Sequence, residues 1–414
     1  MKKAALLTLG CKVNQSETLA IEREMRRQGF EIVPFAGKAD VYIINTCTVT
    51  ARADQKSREY VRHAERTNPR AEILVTGCYV ERARGEMEKI SPRLTVIGND
   101  AKKNIAAFLR TRCNGGYSDK ERFYGERTRA FIKIQDGCGK FCAYCVVPYV
   151  RRRIYTKPQD EVLNEVALLA GSGYKEVVLC GINLGYYHGL ADLLKRIHAI
   201  GSLERIRISS IQPGDVTAGL VSIVRDYPKM CHHFHIPLQS GSSRVLRLMG
   251  RRYTADEYRS VIDRVRKNVS DAGISTDIIV GFPGETEEDF SRTYALVSEL
   301  NFSRIHIFRY SPRPGTAGAV LKDDVPATVK KERANLLEKV ELSLRRQFYS
   351  SYVNRVLEVL LEENKRDRMI GRFCSGFAGN YIRVAAKGTS ALNRIMPVRI
   401  DGVTDDYAVG SIIH

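Results

Sequence analysis

The sequence predicts an α/β protein in three parts: an amino-terminal doubly wound parallel-sheet domain, a central partial (β/α)6 barrel and a small carboxyl-terminal all-β barrel. Three observations lead to this prediction. Apolar strands alternate with helices over residues 1–100, a second alternation with six strands begins near residue 129, and the segments after residue 350 are short and broken by glycine. Alternation of strands and helices implies a parallel sheet covered on both faces, whereas short strands without helices favour a barrel.

Residue patterns mark each element of the amino-terminal part. The strands AALLTLG (4–10), DVYIINT (40–46) and AEILVTG (71–77) are apolar runs of ordinary strand length. The helix over residues 14–29 ends at Gly29, where a C-cap glycine belongs. A polar helix over residues 53–66 separates the second strand from the third.

Six strand candidates follow in the central part, each separated from the next by helical sequence. They cover residues 130–135, 176–180, 205–209, 233–237, 276–280 and 304–308. Eight strand–helix units close a barrel, so six leave one side open to a large substrate. A long polar helix over residues 326–350 leads into the last part. The domain boundaries predicted from these patterns are 1–115, 125–345 and 346–414.

The charge balance and the cysteine usage limit the function. The 414 residues contain 66 Lys and Arg against 47 Asp and Glu, a net charge of +19, which favours a polyanion such as RNA as partner and leaves a merely basic soluble protein open. Ten cysteines without a recognisable export signal or an apolar run of bilayer length predict a reduced, cytoplasmic protein and no membrane association. Clustered cysteines in such a protein indicate metal binding or catalysis.

Three cysteines follow the three amino-terminal strands directly. Cys11, Cys47 and Cys78 each come just after the carboxyl end of a predicted strand. In open α/β sheets that edge is where ligands bind. We therefore expect the three thiols to converge although they are far apart in sequence.

A second cysteine group lies in DGCGKFCAYC. Cys138, Cys142 and Cys145 are separated by three and then two residues, with no fourth ligand nearby. Structural zinc requires four ligands, so a zinc site here needs a distant partner such as Cys180 or His188. An iron–sulfur cluster with one iron left for substrate explains the open position directly.

The spacing C-x3-C-x2-C, on the loop after the first strand of a (β/α)6 pattern, resembles the radical S-adenosylmethionine (SAM) superfamily. Within it, TLGCKVNQSET, INTCTVT and TGCY resemble the amino-terminal domain of the methylthiotransferases, and the carboxyl-terminal barrel resembles the RNA-binding TRAM module. The resemblance covers essentially the whole chain. It implies SAM and two 4Fe–4S clusters as cofactors, one cluster held by each cysteine triad.

The resemblance also implies the reaction. CKVN, CTVT and KSR (56–58) are similar to the branch that methylthiolates C2 of N6-threonylcarbamoyladenosine beside the anticodon of tRNA. The hydrogen on C2 is not acidic, so a radical route is needed, with tRNA, an electron donor such as flavodoxin or ferredoxin and a sulfur source as partners. Methylthiolation of isopentenyl-adenosine or of a ribosomal-protein aspartate remains an alternative, as does a non-catalytic RNA-binding metalloprotein.

Further site residues follow from the same resemblance. Predicted SAM contacts lie on the cluster loop and around the carboxyl ends of the barrel strands: Tyr144, Gly181, Asn183, Ser209, Gln239, Ser240 and Asp277. Predicted RNA contacts are the basic residues Lys56, Arg58, Arg151, Arg152, Arg153, Arg372 and Arg383. Arg152 occupies a position where the family usually has glycine, and arginine would be strained there if the backbone needed a positive φ.

Several other residues have a structural interpretation. Cys113, Cys180, Cys231 and Cys374 are expected to be buried as small apolar side chains. The group His232, His233 and His235 is expected to serve structure more than metal binding. Base stacking and core packing both remain open for the aromatic residues Phe373, Phe377 and Tyr381.

Overall fold

The structure is a computed structural model that describes residues 1–112, 128–388 and 392–413. The chain divides into two compact units. The first contains Met1–Phe123, Gln135–Thr156 and Ser311–Ala319, and the second contains Tyr124–Ile134, Lys157–Tyr310 and Val320–His414. The boundaries 1–115, 125–345 and 346–414 remain a prediction, because these units are assembled from separate stretches of chain.

A five-stranded parallel sheet forms the centre of the first unit, with strands in the order β2-β1-β3-β4-β5. Alternate side chains of its strands enter two separate apolar clusters, one with helices α2 and α3 and the other with α1 and α4. Helices therefore cover both faces, which confirms the doubly wound prediction. The elements are β1 (Lys3–Thr8), α1 (Lys12–Arg27), β2 (Glu31–Ile32), β3 (Val41–Thr46), α2 (Ala51–Thr67), β4 (Glu72–Gly77), α3 (Cys78–Glu88), β5 (Leu94–Val96) and α4 (Ile105–Arg112).

The two edge strands of this sheet were not predicted. β2 has two residues and β5 has three, and neither is long enough to show an alternation of apolar and polar residues. The three predicted strands match β1, β3 and β4 within a few residues. All six residues of β3 are buried, as expected for a central parallel strand.

Six parallel strands form the partial barrel of the second unit, in chain order. Two three-stranded sheets, β6-β9-β10 and β11-β12-β13, are joined by a bridge between Ser210 and His235. The elements are β6 (Arg129–Lys133), β7 (Gln135–Asp136), α5 (Val147–Val150), β8 (Tyr155–Thr156), α6 (Gln159–Gly171), β9 (Glu176–Cys180), α7 (Leu190–His198), β10 (Arg205–Ile208), α8 (Ala218–Asp226), β11 (His233–His235), α9 (Ser243–Leu248), α10 (Ala255–Asn268), β12 (Gly273–Val280), α11 (Glu287–Glu299) and β13 (Arg304–Arg309). Of these, β7, α5 and β8 belong to the first unit.

The carboxyl-terminal part is a closed five-stranded barrel in the order β14-β15-β16-β18-β17. Pairing of β14 with β17 closes it. It follows the long helix α12 (Ala327–Ser350), which matches the predicted helix closely. Its strands are β14 (Val356–Asp367), β15 (Gly371–Ala378), β16 (Arg383–Lys387), β17 (Ile395–Val403) and β18 (Ala408–Ile412).

A buried ion pair on strands β9 and β10 joins the partial barrel to this small barrel. Arg207 Nε lies 2.7 Å from Glu176 Oε1, and both side chains are fully buried. The same guanidinium donates to the carbonyl oxygens of Gly379 (3.0 Å) and Ala378 (3.2 Å) in the small barrel. Burial disfavours the charged carboxylate, but Arg207 outweighs it and lowers the pKa of Glu176.

Tyr381 completes this junction. Its ring stacks on His233 at 4.4 Å and on Phe377 at 4.8 Å, and the Arg207 guanidinium lies 4.6 Å from the ring centre. Phe377 is also covered by Arg129, at 4.6 Å. These contacts settle the alternative left open by the sequence: Tyr381 and Phe377 pack at the junction, and their stacked faces are not open to an RNA base.

Within the described residues, no helix combines the length and the apolar character needed to cross a membrane.

We predict that Arg207→Met destabilises the second unit by about 3–5 kcal/mol, because it leaves the Glu176 carboxylate buried without its cation. Urea unfolding followed by circular dichroism measures the change. Arg225→Met removes an arginine from an exposed pair with Asp226 and should leave the unfolding midpoint unchanged. Equal unfolding midpoints for the two variants would contradict this role of the junction.

Candidate metal centre

Three thiols converge at the carboxyl edge of the parallel sheet in the first unit. Cys11, Cys47 and Cys78 follow β1, β3 and β4, which are adjacent in the sheet. Pairing of Thr46 with Gly77 puts the next residues, Cys47 and Cys78, side by side. The structure therefore brings together the three cysteines that the sequence predicted to converge.

Two glycines provide the space around these thiols. Gly10 has a φ of 96°, and a Cβ added to it would lie 2.8 Å from Cys47 Sγ. Gly77 has a φ of 105°, and its added Cβ would lie 2.3 Å from the Thr46 carbonyl oxygen. A side chain at either position would be strained and would displace the chain that carries the thiols.

The surroundings of Cys47 favour the protonated thiol until a metal replaces the proton. Burial, with smaller contributions from the neighbouring Cys78 and Cys11, raises the pKa of Cys47 to about 12. Metal binding to cysteine displaces this proton, so the positive charge of the metal has to compensate the thiolates. The site is therefore suited to a group that takes several thiolates at once.

The second triad lies on the loop between β7 and α5, also in the first unit. Cys142 is buried, Cys138 and Cys145 are partly exposed, and the Cys145 amide donates to the Cys142 carbonyl oxygen at 2.9 Å. Gly137, just before the triad, has a φ of 78°, and an added Cβ would lie 2.1 Å from the Arg153 carbonyl oxygen. Close approach of these two chain segments shapes the loop.

The two cysteine loops contact each other. Cys78 packs against Val146 and Val150, which lie one and five residues after Cys145. Arg151, the next residue, places its Nε 3.4 Å from Cys78 Sγ. The loop that carries one triad is thus anchored on a member of the other triad.

Arg151 is buried and fully engaged, which corrects the prediction that it binds RNA. Its Nη1 lies 2.9 Å from Glu17 Oε1 and 2.8 Å from Asp136 Oδ1, and its Nη2 donates to Asn14 Oδ1 at 2.8 Å. Burial disfavours its charge, but Cys78 and Glu17 outweigh burial and raise the pKa of Arg151 well above its ordinary value. With a side chain only 2% exposed, Arg151 cannot reach a phosphate.

Sequence reasoning missed several buried polar residues around the first triad. Lys102 Nζ lies 2.5 Å from Glu17 Oε2 and 3.1 Å from Asn45 Oδ1. Asn14 donates to the Leu9 and Thr46 carbonyl oxygens, at 2.8 and 2.9 Å. One signal was available: Asn45 interrupts the apolar strand VYIINT just before the cysteine and is fully buried.

A second polar group flanks Cys47 from the other side. Thr48 donates to Asp54 Oδ1 at 2.6 Å, and Arg82 lies 3.0 Å from Asp54 Oδ2. Arg313 is paired with the same carboxylate and donates to Thr48 at 3.0 Å. Sequence reasoning gave no role to Arg313, because it lies 266 residues from Cys47 along the chain.

Comparison with known proteins identifies the family. Residues 132–297 match the Radical SAM superfamily, and residues 3–98 match the family described as Uncharacterized protein family UPF0004. The threonylcarbamoyladenosine tRNA methylthiotransferase MtaB of Bacillus subtilis (strain 168) is 37% identical over 100% of this chain and 97% of its own length. The protein of the same name from Aquifex aeolicus (strain VF5) is 36% identical over 96% of this chain and 100% of its own length.

The chain belongs to the radical SAM methylthiotransferase family. The tRNA-2-methylthio-N(6)-dimethylallyladenosine synthase of Wolbachia pipientis wMel is also similar, at 34% identity over 90% of this chain and 91% of its own length. Membership confirms the predicted family and an enzyme that transfers sulfur-containing groups with SAM and iron–sulfur chemistry.

Solved structures support the fold. The radical SAM methyltransferase TsrM of Kitasatospora setae, with tryptophan and a SAM analogue bound, superposes with a TM-score of 0.58 at 14% identity and covers 77% of this chain and 75% of its own. The cobalamin-dependent radical SAM enzyme OxsB, with aqua-cobalamin bound, gives a TM-score of 0.51 at 11% identity and covers 91% of this chain and 64% of its own. At these identities the likeness concerns the fold alone.

Most SAM contacts predicted for this methylthiotransferase follow barrel strands in the second unit. Gly181 and Asn183 lie after β9 and Ser209 lies after β10. Gln239 follows β11 and has a φ of 70°. Its backbone N–H donates a hydrogen bond to the Asp277 carbonyl oxygen at 2.8 Å. Asp277 lies within β12, and Tyr144 lies partly buried on the cluster loop of the first unit.

Ser240, another predicted SAM contact, is buried in the barrel wall. Its side chain is fully buried, its hydroxyl lies 3.2 Å from the Thr293 hydroxyl, and it accepts from the Ser242 amide at 3.2 Å. These bonds hold the hydroxyl in the barrel wall, and a contact between Ser240 and SAM stays a prediction.

The remaining predicted RNA contacts differ in exposure. Lys56, Arg152, Arg153 and Arg372 are exposed, whereas Arg58 and Arg383 are partly buried. Arg58 donates to the Tyr79 hydroxyl at 2.5 Å and Arg383 stacks on Tyr407 at 4.5 Å.

Arg152 is not strained. It is absent from the positive-φ residues in the described chain, so the loop accepts arginine where the family usually has glycine.

The cysteines outside the two triads and Phe373 were the remaining residues with a structural interpretation. Cys180, Cys231 and Cys374 are buried, and Cys113 lies outside the described residues. Phe373 is buried, with its ring edge-on to Tyr407.

The three histidines around β11 hydrogen-bond to side chains of neighbouring segments. His232 Nδ1 lies 2.7 Å from Asp271, whereas His233 and His235 both lie near the Ser275 hydroxyl.

We predict that replacing Cys11, Cys47 and Cys78 together by serine lowers the iron content of anaerobically reconstituted protein from about eight to about four atoms per chain. The same loss is expected when Cys138, Cys142 and Cys145 are replaced. Iron analysis and electron paramagnetic resonance measure both. The double variant Cys231→Ser/Cys374→Ser should keep all its iron, and zinc in place of iron in the wild type would contradict the assignment.

We also predict that Arg151→Lys weakens retention of the cluster at Cys11, Cys47 and Cys78 by about ten- to a hundredfold. Lysine lacks the planar guanidinium that contacts Cys78, Glu17 and Asp136 at the same time. Iron loss to a chelator, followed by absorbance, measures retention. Arg152→Lys changes the exposed neighbour and should retain iron like the wild type. Identical chelation curves for all three proteins would show that the guanidinium does not support the cluster.

Proposed function

We propose that this chain methylthiolates C2 of N6-threonylcarbamoyladenosine beside the anticodon of tRNA, with two 4Fe–4S clusters and SAM. The observation that carries the proposal is the contact between the two cysteine loops, where Cys78 packs against Val146 and Val150. Replacement of an unactivated C–H hydrogen by a methylthio group requires a radical source and a sulfur source close to the same atom. Adjacent loops with three thiols each meet this requirement.

The cofactors supply the difficult chemistry when bound: radical formation from SAM and delivery of the sulfur-containing group. The chain supplies position and charge. Cys11, Cys47 and Cys78 would hold the auxiliary cluster, and Cys138, Cys142 and Cys145 would hold the cluster that binds SAM. Arg151 fixes one loop against the other and partly neutralises the thiolates, while Glu17 and Asp136 hold its guanidinium.

The substrate assignment rests on the relatives and on the motifs. Relatives named for threonylcarbamoyladenosine reach 37% identity over the whole chain, and the motifs CKVN, CTVT and KSR resemble the same branch. Dimethylallyl-adenosine is the second candidate, because relatives named for it reach 34–35% identity over 90% of the chain. A target RNA has to expose the base, so we expect the adenine to leave its stack before reaction.

The remaining partners follow from the reaction. Reductive cleavage of SAM needs an electron donor such as flavodoxin or ferredoxin, and each turnover consumes one sulfur atom from a source still to be identified. A tRNA substrate and oxygen-sensitive clusters fit a cytoplasmic enzyme. The net charge of +19 is suited to a polyanionic partner.

We predict that cells lacking the gene lose the methylthio form of threonylcarbamoyladenosine from their tRNA and accumulate the unmethylthiolated nucleoside. Mass analysis of digested tRNA measures both. Complementation with the wild type should restore the product, whereas the Cys138→Ser/Cys142→Ser/Cys145→Ser variant should not. An unchanged nucleoside profile, or loss of the methylthio form of dimethylallyl-adenosine instead, would overturn the substrate assignment.

A further inference from the structure

A short segment late in the chain belongs to the first unit. Residues Ser311–Ala319 are part of it, although the chain up to Tyr310 and from Val320 onward belongs to the second unit. We call this segment the strap. Its sequence, SPRPGTAGA, has a proline on each side of Arg313. Proline fixes its own φ and disfavours helical backbone at the residue before it, so the strap carries Arg313 on a stiff stretch of chain.

One end of the strap is bound beside Cys47. Arg313 pairs with the Asp54 carboxylate, and its Nη2 donates to the Thr48 hydroxyl at 3.0 Å. Thr48 is the residue after Cys47, and its hydroxyl donates to Asp54 Oδ1 at 2.6 Å. The side chains of Arg313 and Asp54 are only 3% and 8% exposed. Because breaking a buried ion pair is strongly unfavourable, this contact holds the strap firmly to the loop after β3.

The other end of the strap is bound to the second cysteine loop. The Gly318 N–H donates to the carbonyl oxygen of Ala143, which lies inside the CAYC stretch of that loop, at 2.6 Å. Within the strap, the N–H and the hydroxyl of Thr316 donate to the Arg313 carbonyl oxygen at 3.1 and 2.8 Å. These bonds fold the strap into a compact turn. A displacement of Arg313 would therefore also displace the donor that holds the second cysteine loop.

Asp54 also binds the helix that starts at the third thiol of the first triad. Arg82 lies on α3, which begins at Cys78, and its Nη2 is 3.0 Å from Asp54 Oδ2. Arg82 Nε donates to the Thr48 hydroxyl at 2.8 Å. Asp54 itself lies on α2, the helix that follows the loop with Cys47. One carboxylate thus joins three segments that carry or contact cysteine ligands. We call Thr48, Asp54, Arg82 and Arg313 the hub.

We infer that the hub sets the two cysteine loops relative to each other, with Arg313 as the positioning residue that couples them. The inference rests on the proposed function, in which a radical source and a sulfur source have to reach the same carbon atom. Cys78 packs against Val146 at one connection between the loops, and the strap provides a second one. Two connections restrict rotation of one loop against the other, which a single contact does not.

The charges of the hub make Arg313 the suitable residue for substitution. Asp54 is paired with both Arg82 and Arg313. Arg313→Gln therefore leaves the carboxylate paired with Arg82, and the first unit should fold while the strap loses its charged anchor. Asp54→Asn, by contrast, would leave two largely buried arginines together without their common counterion.

The test compares four anaerobically reconstituted full-length proteins: the wild type, Arg313→Gln, Arg313→Lys and the matched control Arg84→Gln. Arg84 lies on α3 close to Arg82, but its pair with Glu88 is at least half exposed and lies outside the hub. Each protein is given SAM, a reductant and an anticodon stem-loop that carries threonylcarbamoyladenosine. Mass analysis measures the methylthio product and 5′-deoxyadenosine, which reports radical formation from SAM.

We expect Arg313→Gln to form about ten- to a hundredfold less methylthio product for each 5′-deoxyadenosine, because a small misplacement of reacting groups costs about that much. Arg313→Lys keeps the charge but loses the fork of the guanidinium, so its ratio should fall between those of Arg313→Gln and the wild type. Arg84→Gln should give the wild-type ratio. Iron analysis verifies that both clusters are present in each protein.

Hydrogen–deuterium exchange gives a second measurement that does not depend on turnover. Peptides that cover the strap and residues 138–146 should exchange faster in Arg313→Gln than in the wild type, because the bond from Gly318 to Ala143 is no longer held in place. Peptides that cover β4 should exchange at the wild-type rate. In Arg84→Gln all of these peptides should behave as in the wild type.

The outcomes separate the inference from the proposed function. Failure of the wild type to form any methylthio product overturns the proposed function, and the exchange measurement then decides on the coupling of the loops. An unchanged product ratio or unchanged exchange in Arg313→Gln overturns only the inference. Loss of iron in both Arg313 variants, or faster exchange throughout the first unit, would give the hub a merely structural role and would also overturn it.

Discussion

Parallel pairing of neighbouring strands is the constraint on which the rest of the structure depends. In a parallel sheet every strand ends at the same edge, so residues that are 30 or more positions apart in the chain meet there. Cys11, Cys47 and Cys78 are brought together in this way. The same principle aligns His235, Ser275 and Arg304 across three strands of the barrel, this time on one face.

Concentration of thiols at one edge creates an electrostatic problem that the surrounding polar residues solve. Several thiolates in a partly buried site repel one another, and the positive charge of a bound iron–sulfur core would compensate three of them only in part. Arg151 and Lys102 supply compensating cations, and Glu17 binds both of them. Since Glu17 lies on α1, six residues beyond the N-cap residue Cys11, the helix that begins at a ligand also holds the cations that balance it.

The sequence predicted the elements with strong periodicity, and it missed the contacts that depend on distant segments. Apolar runs such as VYIINT and EVVLC have the length and composition of buried parallel strands, so their positions were predictable. β2 and β5 were missed because strands of two or three residues are too short to show an alternation of apolar and polar side chains. Arg151 was read as a phosphate contact because a run of three arginines looks like a basic surface patch, and only the fold shows Glu17, Asp136 and Cys78 around the first of the three.

The junction at Arg207 limits how the carboxyl-terminal barrel of this enzyme can be separated from the rest of the chain. A small barrel at the end of a chain is often treated as an independent domain, but here its backbone carbonyl oxygens accept hydrogen bonds from an arginine of the neighbouring barrel. A truncated chain would expose a desolvated charge pair and the ring of His233 to water. Chimeras that exchange this barrel between related enzymes should therefore keep the segment from residue 377 to residue 381 together with its partners Arg207 and His233. Without these contacts the amino-terminal ends of the partial barrel's strands would be exposed to water.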